Sequence, residues 1–182
     1  MRHFAWGLGA ALLLAGCGAF GNVHIAPVTA MSQVAAKAVG FASARDGLFA
    51  AQSAARPWDG AASLARIEGT DIEAGYMAGD WAYTFYAPAK REEALVVVWD
   101  GSRTKTYKIR KDPAARPILS GSFNIDSKQA VAIAEKNGLK SRRVHDLSLG
   151  EANPQFRLQW TLNAPEGEYV VDALTGQLLQ KP

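Results

Sequence analysis

The sequence predicts an α+β fold: two repeats of a helix packed on a small antiparallel β-sheet, preceded by an N-terminal helical segment. Three observations predict it. Phe156, Leu158, Trp160 and Leu162 alternate with Arg157, Gln159, Thr161 and Asn163, and a period of two marks a half-buried strand. The stretch Trp81 to Pro88 lies over Leu158 to Pro165, with Thr, Ala and Pro coinciding. Trp81, Tyr83 and Phe85 then fall on the face of Leu158, Trp160 and Leu162. Between these strands, Ala130, Ile133 and Ala134 recur at helix spacing. The chain divides into a leader over 1–16, a linker over 17–28, an N-terminal helix with the first repeat over 29–117, and the second repeat over 118–182.

The first residues read as a processing signal. Arg2 gives a positive start, and Phe4 to Leu14 is an apolar run too short to span a membrane. It ends in Leu14-Ala15-Gly16-Cys17, which resembles the lipobox of bacterial lipoproteins. That resemblance implies cleavage after Gly16, lipidation of Cys17 and a lipid anchor in a bacterial cell envelope. Several acyl chains anchor stably where one does not. The alternative is an ordinary secretory peptide with an incidental cysteine. Cys17 is the sole cysteine, so no internal disulfide can form. Gly18, rather than Asp, follows it. By resemblance to Gram-negative sorting, this implies the outer membrane, facing the periplasm.

Residues 18 to 28 form a short linker, in which His24 is solvated. From Thr29, Met31, Val34, Ala35, Ala38, Phe41 and Ala42 recur at helix spacing, and Leu48, Phe49 and Ala55 continue the face. A break is expected near Gly40, and Pro57 ends whatever helix reaches it. Ala65 to Ile72 reads as a strand weakened by Gly69. Leu95 to Trp99 reads as a strand buried on both faces, and Asp100-Gly101 as a tight turn. Arg103 to Arg110 returns as its partner, and 112–117 links the two repeats.

In the second repeat Asp126 is the expected N-cap, and Gln129 completes a capping box. Lys136 complements the helix dipole, and Gly138 stops the helix. Arg142 to Leu149 reads as a strand, and Gly150 to Pro154 as a turn. The opening strand ends before Pro165, Glu166-Gly167 turns, and Tyr169 to Ala173 returns. Asp172, Thr175 and Gly176 suit a second turn. Ala130, Ile133, Ala134 and Gly138, followed by Val171, Asp172, Ala173, Thr175 and Gly176, resemble the PepSY domain over about residues 118–182. That family occurs in protease propeptides and bacterial envelope proteins. The resemblance implies a binding or inhibitory module, and the family has no catalytic residues to carry over.

Composition excludes other classes. Hydrophobic residues make up 48% of the 182, enough for a packed core. A formal charge of +3 is too small to imply nucleic acid. The spacing of histidines and carboxylates forms no metal site, and no nucleotide-binding glycine motif accompanies a strand–helix junction. No cofactor and no catalytic residue is therefore expected. One basic stretch stands out: Arg103, Lys105, Lys108, Arg110 and Lys111. It is the candidate binding strand, for an acidic protein or peptide partner or for lipid headgroups. Its bland reading is an edge strand whose lysines deter aggregation.

The functional expectation is a non-enzymatic envelope lipoprotein that binds another envelope protein or an extended peptide, with no implied oligomeric state. One rival is a cell-wall hydrolase with His145 and nearby carboxylates in a cleft, where Asp146 could orient the imidazole. Another is a structural lipoprotein subunit of an envelope assembly.

Overall fold

The computed structural model describes residues 43–72, 80–114, 116–118, 123–141, 144–152 and 157–182. The expected leader, the lipidation at Cys17 after Gly16, the linker and the helical pattern over 29–42 lie outside the described residues. Eight strands form one antiparallel sheet. They are β1 (Ser63–Ile72), β2 (Trp81–Tyr86), β3 (Glu93–Trp99), β4 (Thr104–Arg110), β5 (Val144–Ala152), β6 (Arg157–Ala164), β7 (Gly167–Asp172) and β8 (Leu178–Gln180). Their order across the sheet is β4-β3-β2-β1-β5-β6-β7-β8. Two helices, α1 (Leu48–Ala55) and α2 (Ser127–Lys136), complete the described structure.

This corrects the expected fold class. The helices do not sit on two separate small sheets. Instead β1 pairs with β5 from Ile67↔Leu149 to Ile72↔Val144, so the two four-stranded halves share one continuous ladder. The physical reason lies in a single apolar row. Val97, Tyr83, Ile67, Leu149, Trp160 and Val171 are directly opposite one another on successive strands, and all are fully buried. Splitting the sheet would expose the Ile67–Leu149 pair and leave two unpaired backbone edges in its centre. The likeness of Trp81–Pro88 to Leu158–Pro165 follows from the same arrangement. Both stretches contribute inner strands with one face on the core.

The helices lie on the core face of the sheet. Ala51 and Ala55 of α1 and Ala130, Val131 and Ala134 of α2 belong to one core with that apolar row. Alanine is the strongest helix former and lets an axis approach a sheet closely. Gly47, just before α1, sits where an added Cβ would collide with the Trp99 ring and the Tyr83 hydroxyl. At α2 the expected capping box is present. Ser127 N–H donates to Asp126 Oδ1 at 2.7 Å, and Asp126 N–H donates to Gln129 Oε1 at 2.8 Å. Ile133 is half-buried and packs against the core as expected, and Val131 is buried there as well, beside Ala130 and Ala134.

Segment 43–46 ties the halves together. Ala44 N–H donates to Ser127 Oγ at 3.0 Å, and the Tyr83 hydroxyl donates to the Ala44 carbonyl at 2.7 Å. The Arg45 guanidinium donates to the Phe123 carbonyl at 2.8 Å and lies 5.1 Å from the Phe123 ring centroid. The expected strand over Ala65 to Ile72 is present within β1, and the Trp81 ring packs over its Gly69. Two local readings change. β5 runs on through Gly150 to Ala152, paired with β6. The short strand β8 follows the turn at Asp172–Gly176, where Leu174 and Thr175 amides donate to Asp172 Oδ1.

Candidate functional site

β4 lies at one edge of the sheet, and all seven of its residues are exposed. Its register on β3 runs from Glu93↔Arg110 to Trp99↔Thr104. Two flanking hydrogen bonds set the phase of this ladder. Lys111 N–H donates to the Glu92 carbonyl at 2.8 Å, and Asp100 N–H donates to the Arg103 carbonyl at 3.2 Å. In an antiparallel pair the bonded positions recur every second residue. Lys105, Tyr107 and Ile109 therefore spend their backbone groups on β3. Thr104, Thr106, Lys108 and Arg110 direct their N–H and C=O outward, and among the described residues no strand pairs with that side.

The side chains of β4 divide by face. Thr104, Thr106 and Lys108 stand opposite Trp99, Val97 and Leu95, on the side of the helices. Lys105, Tyr107 and Ile109 stand opposite Val98, Val96 and Ala94, on the open side. Tyr107 is 51% exposed and Ile109 41%, so two large apolar groups meet water at the rim. Of the predicted basic residues, Lys105, Lys108 and Arg110 are on the strand. Lys108 Nζ lies 3.1 Å from Glu93 Oε2, an exposed pair that contributes little to stability. Arg103 belongs to the preceding turn, where its N–H and that of Ser102 donate to Asp100 Oδ1. Those donors hold the Asp100 carboxyl below its ordinary range. Lys111 leaves the strand and lies 4.8 Å from the Tyr86 ring centroid. The structure thus brings three of the five cations onto the edge itself.

A second feature was not singled out from sequence. The open face carries a groove of about 240 Å³ between Asp112, Ala114 and Arg116 on one side and β1, β5 and β6 on the other. Arg66, Asp112, Arg116, Glu151, Gln159 and Thr161 line it, and Arg66 also pairs with Glu68 at 3.0 Å. Only the β1·β5 pairing assembles these residues, and no local motif marks them. Tyr107 and Ile109 were also passed over, although their alternation with Lys108 and Arg110 is visible in the sequence.

The hydrolase reading rests on His145 and nearby carboxylates such as Asp146. His145 is exposed, and Asp146 Oδ1 accepts a hydrogen bond from Asn163 Nδ2 at 2.6 Å. Among the described residues no group of three or more His, Cys, Asp or Glu could hold a metal ion. No described helix is long and apolar enough to cross a membrane, which says nothing of a β-barrel.

No protein-family model matches the chain, so the PepSY resemblance gains no support from that comparison. No curated protein matches it either. Among solved structures, the chain is similar in fold to a candidate lipoprotein from Clostridium difficile 630. The two are 12% identical with a TM-score of 0.50, over 70% of this chain and 86% of the other. At that identity the likeness concerns the fold alone.

Proposed function

We propose that this protein is a lipid-anchored component of a bacterial envelope that binds an extended segment of another envelope protein along β4, without turnover. The observation that carries the reading is the edge itself: β4 is exposed along its whole length, basic, and has one side of its backbone unpaired among the described residues. Strand addition to such an edge supplies affinity through backbone hydrogen bonds and specificity through alternate side chains. The positive charge of Lys105, Lys108 and Arg110 favours an acidic segment and steers its approach. The same lysines discourage two copies from pairing edge to edge, because like charges would stand across the new ladder. The lipid anchor rests on the Leu14–Cys17 motif, and the lipoprotein description of the structural neighbour agrees with it.

Two experiments test the reading. Metabolic labelling with a fatty-acid analogue should mark the wild-type protein and fail to mark Cys17→Ser. Equal labelling would remove the anchor. For binding, an acidic partner captured by crosslinking from envelopes should associate more slowly with the Lys105→Glu/Lys108→Glu variant, with a smaller change in dissociation. Added salt should have the same effect as it screens charge over about 8–10 Å. Unchanged rates would take the edge out of the interaction.

A further inference from the structure

We infer that the β4 edge selects a two-sided strand, in which acidic residues facing the helices alternate with apolar residues facing the open side. The inference rests on the reading of β4 as a binding edge and specifies what that edge accepts. A strand added to β4 must bond to the outward groups of Thr104, Thr106, Lys108 and Arg110. Its residues directly opposite those four then share their face, on the helix side. That side presents Lys108 and Arg110, and the one carboxylate that β3 and β4 place there, Glu93, already lies beside Lys108. Two cations against one carboxylate leave a net positive charge for acidic residues to meet.

The intervening residues of the added strand stand opposite Lys105, Tyr107 and Ile109, on the open side. There Tyr107 and Ile109 are half exposed, while their β3 neighbours Val96 and Ala94 are buried. A row of apolar residues on the incoming strand would continue Val96–Tyr107 and Ala94–Ile109 outward and remove both side chains from water. Lys105 closes the row at the β3–β4 turn end, where a further acidic residue would be accommodated. The edge is therefore charged on one side and apolar on the other, and a uniformly acidic segment satisfies only half of it.

The test uses two seven-residue peptides of one composition, four Glu and three Val, either strictly alternating or in two blocks. A free peptide can slide by one residue, so only the alternating arrangement can place every Glu on one side. Titrated into the full chain, the alternating peptide should bind about tenfold more tightly, the size that several cross-strand pairs supply together. The Tyr107→Thr/Ile109→Thr variant should lose that preference and keep salt-sensitive binding. Both residues are exposed, and an unchanged thermal midpoint checks that the variant is folded. Equal affinity of the wild type for the two peptides overturns the two-sided selection and leaves edge binding in place. Binding of neither peptide overturns both.

Discussion

Truncating Trp160 tests whether the eight strands form one cooperative sheet. The indole is fully buried opposite Leu149 and Val171. It meets the Phe123 ring edge-on at 6.3 Å and donates from Nε1 to the Ile125 carbonyl at 2.8 Å. An aromatic side chain buries about 150–250 Å², which at about 25 cal/mol per Å² gives an upper bound of about 4–6 kcal/mol. The Ala side chain retains part of this, and core truncations of Trp typically cost about 3–5 kcal/mol. Trp160→Ala should therefore lose about that much, a large share of the stability of a domain this size. Arg157→Ala, whose guanidinium is exposed and lies 3.4 Å from Asp172, should lose under about 1 kcal/mol. The amide signals of Val97 in β3 and Val171 in β7, followed by NMR through a urea titration, report the two halves separately. Both should share one midpoint and move together in Trp160→Ala. A shift at Val171 with Val97 unmoved would refute the shared core.

Two further substitutions probe the fold. Burial pushes the Asp172 carboxyl up, but the amides of Thr175 and Leu174, the Thr175 hydroxyl and Arg157 outweigh it and leave its pKa below the ordinary value. A depressed carboxylate stabilises above its unfolded pKa of about 3.9 and loses that contribution as pH falls through the folded value. Asp172→Asn should thus cost about 1 kcal/mol at pH 7. Its deficit against the wild type should shrink below about pH 4, as read from urea midpoints across pH; a deficit independent of pH would contradict the assignment. Gly69→Ala places a Cβ 2.7 Å from Trp81 Cζ3 and should cost about 1–3 kcal/mol. Gly60→Ala meets nothing within 4 Å and should stay within about 0.5 kcal/mol, by the same thermal or urea measurement.

Strands with strong alternation or long apolar runs were legible in the sequence. β2, β3, β6 and β7 each have residues whose burial the pattern dictates. The α2 cap was legible for a local reason, since Asp126 and Gln129 act within one turn. The joining of the halves was not. Whether β1 and β5 pair or remain as two edges depends on contacts between residues about 80 positions apart, and alternation is the same in either case. The packing over Gly69 was hidden for a related reason. In isolation a glycine weakens a strand, and only the Trp81 ring across the ladder explains it. At the site, the charge of Arg103–Lys111 was visible, but the parity of its backbone bonds was not. The pairing with β3 turns Lys108 and Arg110 toward the helices and Tyr107 and Ile109 away from them, and it places Glu93 beside Lys108.

Amide hydrogen exchange along β4 tests the central claim most directly. In the free protein the N–H groups of Lys105, Tyr107 and Ile109 should be protected by their bonds to β3, while those of Thr104, Thr106, Lys108 and Arg110 exchange rapidly. On saturation with the alternating Glu/Val peptide, the four outward amides should slow and the other three should change little. Protection that appears instead around Arg66, Glu151 and Thr161, with the outward amides of β4 still exchanging freely, would contradict strand addition and move the binding surface to the open-face groove.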